Sequence, residues 1–114
     1  MTTQKMELDI IQISETLGFE FHEYLEVLDV FLDNTPGVIE DFKVRIKEGN
    51  FQEASELCHL IKGGASSIGL DLISDVAHDI EKACKNGNSS IIPGLLEKLV
   101  ELVQQLENQR KSVA

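Results

Sequence analysis

Between Cys58 and Leu70 the chain reads CHLIKGGASSIGL, which sets an imidazole, an ammonium group and two adjacent glycines within one short span. His59 can act as a nucleophile, because an exposed imidazole with an ordinary pKa of about 6.5 is available in its neutral form at physiological pH. Lys62, three residues on, lies about 60° around a helix from His59 and can place its ammonium beside an oxyanion carried on the ring. The pair suits a phosphoryl group. General-base chemistry is the competing use of an exposed histidine, and it normally needs an orienting carboxylate, a pocket and a substrate site. The sequence contains no Gly-x-Ser-x-Gly, His-Glu-x-x-His, phosphate-binding glycine loop or Cys-x-x-Cys. His22, His59 and His78 are too scattered to nominate a metal site, so none is expected.

The glycine pair disfavours a helix by about 2 kcal/mol, so something should compensate. On a helical wheel from Phe51 to Ile68, the residues Ala54, Leu57, Ile61, Ala65 and Ile68 share an arc of about 80° that faces the core. His59 then points about 160° away from the centre of that arc, toward solvent. Gln52, Ser55, Gly63 and Ser66 lie within about 40° of it, leaving the imidazole in a clearing that another protein's surface can approach. Together with Glu56 they define a candidate partner-docking stripe. Gly64 sits toward the flank of the buried side, where a missing side chain would admit a neighbouring helix. A helix ending at Lys62-Gly63 is disfavoured, because the apolar period continues in phase to Ile68 and the next cap signal is Asp71. Cys58 reads as packing.

These residues need elements to position them, and the periodicity is helical almost throughout. A short first helix is expected over 6–17, with Leu8, Ile11 and Leu17 inward and Gly18 as its stop. A second over 20–33 carries Phe21, Tyr24, Leu25, Leu28, Phe31 and Leu32 on one face. Asn34-Thr35-Pro36 reads as a break, with Thr35 capping a helix that runs to about Glu48 and buries Ile39, Phe42 and Ile46. Asn50 and Glu53 resemble a capping box for the histidine helix. Asp71 is expected to cap a helix to about Lys85 with Leu72, Val76, Ile80 and Ala83 inward, and Asn86-Gly87-Asn88 is the next turn. The last helix, roughly 91–108, buries Ile92, Leu95, Leu96, Leu99, Leu102, Val103 and Leu106, with Pro93 tolerated in its first turn. Short connections imply an all-α, up-down antiparallel four-helix bundle with an additional short N-terminal helix, a single domain over 1–114 with its core at about 20–108.

Composition narrows the function classes. Twenty acidic against ten basic residues give a formal charge of −10, which repels a phosphate backbone and argues against nucleic acid. No run of 18 apolar residues marks a membrane span, and the start MTTQKMELD lacks the pattern of a signal peptide, so the expected location is the cytoplasm. Cys58 and Cys84 form no metal or redox motif.

His59-Leu60-Ile61-Lys62-Gly63, followed by Ala65 and Gly69, resembles the His-x-x-Lys-Gly core of histidine-containing phosphotransfer (HPt) domains, and the likeness extends over about residues 20 to 88. The HxIKGGA spelling and the His78-x-x-Glu81 pair look most like the phosphotransfer domain of chemotaxis histidine kinases. The resemblance implies that His59 is phosphorylated and exchanges the group with an aspartate of a response-regulator receiver domain, in a relay that includes a sensor (hybrid) histidine kinase. It implies that Lys62 assists electrostatically and that Glu81 and His78 belong to a hydrogen-bond network around the imidazole. The wheel itself leaves that contact open, since it places His78 and Glu81 off the apolar stripe of their helix. No cofactor of its own is expected; Mg²⁺ would come with the receiver, and the protein would be a monomer. Two alternatives are a module cut from a chemotaxis-type kinase and a helical adaptor that binds receivers without being phosphorylated.

Overall fold

A computed structural model describes residues 9–113. The helices are α1 (Ile10–Leu17), α2 (Phe21–Lys47), α3 (Phe51–Ser67), α4 (Asp71–Asn86) and α5 (Ile92–Lys111), with one 3-10 turn at Ser89–Ile91 before the last. The connections are too short for anything but antiparallel neighbours, so α2 to α5 form an up-down four-helix bundle. α1 packs against α2 and α5 at one end. Tyr24, Leu28, Phe42, Leu70, Ile73, Ile80, Leu99, Leu102 and Leu106 fill the centre. Among the described residues no helix is long and apolar enough to cross a membrane.

The expected break at Asn34-Thr35-Pro36 does not occur; α2 runs unbroken through Pro36. The apolar stripe explains why: Leu28, Phe31, Thr35, Ile39 and Phe42 are all buried and keep helical phase across the proline. Pro36 leaves Leu32 without its helical donor, at a cost of about 3 kcal/mol that packing on the same helix face offsets. Thr35 is not a cap. Its hydroxyl, turned into the core, donates to the Phe31 carbonyl at 2.6 Å within the helix.

Other helix ends differ from expectation in detail. Asp9 has extended backbone and accepts from the Gln12 N–H at 3.2 Å, so α1 starts at Ile10; residues 6–8 of the expected helix lie outside the described residues. Ile11 and Leu17 are exposed, while Ile10 and Ser14 face inward; Leu8 lies outside the described residues. Asp71 is the first residue of α4 and makes no side-chain cap. The Asn50 side chain does accept from the Glu53 N–H, at 3.1 Å.

The far end of α3 is locked by two residues. The buried Tyr24 hydroxyl donates to the Ile68 carbonyl at 2.8 Å. Gly69 turns the chain with φ +76°, and a Cβ there would lie 2.8 Å from Ile13 Cγ2 of α1. Only glycine meets both demands. Long-range polar ties fix the other helices: the Ile10 N–H donates to Gln109 Oε1 at 3.1 Å, and Arg110 grips both carboxylate oxygens of Asp29 at 2.7 and 3.1 Å.

Candidate functional site

α3 meets α4 through small side chains. Ala54, Ser55, Cys58 and Ala65 are buried on α3, and Ala77, Ala83 and Cys84 on α4. Small residues let two helix axes approach closely, which carries a side chain of one onto the flank of the other. The buried face of α3 is therefore centred near Cys58 and Ala65, not near Ile61. This rotates His59 from the far side of the helix to the edge of the α3–α4 seam, with its side chain 62% exposed. Leu60, beside it, is 63% exposed. Ser55 leaves the expected docking stripe altogether: it is 1% exposed, and its hydroxyl donates to the Gln52 carbonyl at 2.8 Å. Gln52, Glu56, Gly63 and Ser66 remain exposed, the first two joined by a 3.1 Å hydrogen bond.

Across the seam stands Glu81, 5% exposed. Its Oε2 lies 3.2 Å from His59 Nδ1 and 2.9 Å from Lys85 Nζ. Its Oε1 lies 3.3 Å from Lys62 Nζ and 3.9 Å from His78 Nδ1. His59, Lys62, His78 and Glu81 are thus brought together around one carboxylate. Burial alone would raise the Glu81 carboxyl, but the neighbouring ammonium groups of Lys85 and Lys62 outweigh it and hold the group down at about 2. Glu81 is therefore ionised at neutral pH and can only accept. Its contact with Nδ1 then requires the proton on Nδ1, which leaves Nε2 with a free lone pair.

Gly63 has nothing within 4 Å of where a Cβ would stand, so the ground beside the ring is open. At Gly64 a Cβ would make ordinary contact with the Phe31 ring of α2, at 3.5 Å. The nearest rival nucleophile is disarmed: burial, with Cys84 and Glu81 nearby, pushes the Cys58 thiol up to about 12, and burial raises Cys84 as well. Among the described residues no group of three or more His, Cys, Asp or Glu side chains is arranged to hold a metal ion.

Two grooves flank the helix. One, of about 770 Å³, is lined mostly by charged and polar residues, among them Asp41, Arg45, Glu56, His59, Glu81 and Lys85. The other, of about 880 Å³, lies between α2 and α3 and is lined by Val27, Val30, Val38, Leu60, Gly64 and neighbours. Leu60 borders both. Sequence reasoning missed Lys85 and this apolar groove. The signal for Lys85 was its place four residues after Glu81; for the groove, it was a leucine on the polar side of the α3 wheel.

No curated protein matches the chain. The fold is similar to the crystal structure of histidine-containing phosphotransfer protein B (HptB) from Pseudomonas aeruginosa PAO1, with a TM-score of 0.72 and 19% identity, over 92% of each chain. The family model for the Hpt domain matches residues 26–109, which include α3, α4 and every side chain gathered around Glu81. With well over half its length matched, the chain belongs to the Hpt domain family.

Proposed function

We propose that His59 is the phosphoryl acceptor of this Hpt domain and exchanges the group with an aspartate of a response-regulator receiver, in a relay fed by a sensor (hybrid) histidine kinase. One observation carries the reading: an exposed imidazole whose Nδ1 faces a buried, ionised carboxylate at 3.2 Å, so that Nε2 is the free nucleophile. In the forward step the Nε2 lone pair forms the N–P bond as the P–O bond to the aspartyl oxygen breaks, and that bond's electrons return to the leaving carboxylate. No proton changes hands. The ring gains positive character, which Glu81 offsets from the Nδ1 side, while Lys62 can meet the oxygens of the transferred group. Mg²⁺ enters with the receiver. The domain supplies position and charge, the two contributions on which phosphoryl transfer chiefly depends.

Docking is assigned to the exposed part of α3, namely Gln52, Glu56, Gly63 and Ser66, together with the Val27–Val30–Leu60 groove shared with α2. The apolar groove gives a partner area to bury next to the reacting nitrogen. The cytoplasm and a monomeric state belong to the same reading.

His59→Gln tests it. Incubated with a phosphorylated receiver, the wild type acquires one acid-labile phosphate on His59, read by residue-level mass spectrometry. The variant acquires none and keeps its helicity and melting temperature. Label on the variant overturns the assignment.

A further inference from the structure

Two ammonium groups attend one buried carboxylate, and they are not equivalent. Lys85 Nζ makes a hydrogen bond of 2.9 Å to Glu81 Oε2, along the same helix. Lys62 reaches Oε1 from the other helix at ion-pair distance, 3.3 Å, and the buried Oε1 has no hydrogen-bond partner of good geometry. We propose that Lys85 is the resident counter-ion of Glu81 and a positioning residue for His59, while Lys62 is the exchangeable cation that turns to the phosphoryl group. This rests on the reading of His59 as the acceptor.

Three features support the division. A carboxylate oxygen offers two lone pairs, and on Oε2 one meets Lys85 while the other faces His59 Nδ1, so Lys85 fixes the direction in which Glu81 addresses the ring. Lys62 shares the helix of His59, three residues along, and can leave Oε1 without breaking a well-formed bond. When it leaves, the carboxylate still has Lys85, so the buried charge is never uncompensated. His78 Nδ1, 3.9 Å from Oε1, is the donor placed to follow Lys62 onto the vacated oxygen. Lys85 itself is 58% exposed, so its loss opens no cavity.

The experiment reads ring-nitrogen NMR of His59 in ¹⁵N-labelled, unphosphorylated protein, alongside the rate of phosphoryl uptake from a phosphorylated receiver. In Lys85→Met the single Nδ1–H tautomer is expected to give way to a mixture. Uptake is expected to fall about tenfold, the scale of losing one charge-assisted hydrogen bond, with the helical circular dichroism at the assay temperature unchanged. Lys85→Arg is expected to restore both signals. Lys62→Met is expected to keep the tautomer while slowing uptake. A pure Nδ1–H tautomer in Lys85→Met, or a scrambled one in Lys62→Met, overturns the proposal. Because the tautomer is read without phosphate, failure of His59 to accept a phosphoryl group is a separate result and does not mimic either outcome.

Discussion

Glu81 survives inside a helical bundle because nitrogen groups from two helices surround it: His59 and Lys62 from α3, His78 and Lys85 along α4, with the protonated thiols of Cys58 and Cys84 close by. Its carboxyl is lowered from 4.5 to about 2, so the folded state binds that proton more weakly than the unfolded chain does. The resulting stability is fully present above pH 4.5 and is lost as pH falls from there toward 2. Glu81→Gln keeps the shape and removes the charge. Thermal melts across that window are expected to show a shallower acid decline in the variant than in the wild type; parallel declines would mean that the lysines do not hold the carboxylate. At this scale the sequence singled out His59 and Lys62, which the fold does bring to Glu81, but not Lys85. A Glu and a Lys four apart on a helix are usually a solvated pair worth a few tenths of a kcal/mol. Only the seam between α3 and α4 turns this one inward.

Elements were read most securely where large apolar residues set the period, as in α5, and least securely where small ones did, as in α3 and in α4, where Ile73 and not Leu72 is buried. The inner face of α3 is built on Ala54, Ser55, Cys58 and Ala65 together with the expected Ile61. A wheel weighted by large hydrophobics leans toward Leu57 and Ile61, and misplaces both Ser55 and the angle of His59. Pro36 misled for a related reason: a local break signal was overruled by a stripe whose middle member, Thr35, is polar. Gly69 was noted in the motif, but its duty is visible only once α1 is in place. Gly69→Ala combines a strained φ with a Cβ driven into Ile13, so a loss of about 2–4 kcal/mol is expected in denaturant unfolding. A loss below about 1 kcal/mol would show that α1 yields freely.

As a whole the molecule is about 21 Å thick in its shortest dimension, and α5 packs chiefly on α4. The fold class was legible because amphipathic stripes joined by short turns have few ways to pack, although the expected break at Asn34-Thr35-Pro36 divided one of the four long helices in two. The ties that hold the bundle in register were not, since Ile10 with Gln109 and Asp29 with Arg110 are separated by 99 and 81 positions in the chain. Docking belongs to this scale too. Leu60→Glu places a charge on an exposed position of α3 without entering the core, so it is expected to raise the KM for a phosphorylated receiver severalfold with the fold unchanged. An unaltered KM would move the docking face elsewhere. The bond from Tyr24 to the end of α3 has an optical consequence. This is the chain's one tyrosine, there is no tryptophan, and burial lifts its phenol from 10.0 to about 12. The neutral phenol favours the folded state below pH 10, and that preference fades between 10 and about 12. Tyrosinate absorbance should therefore rise together with the loss of helical circular dichroism in an alkaline titration, a built-in gauge of whether the histidine's helix is still seated.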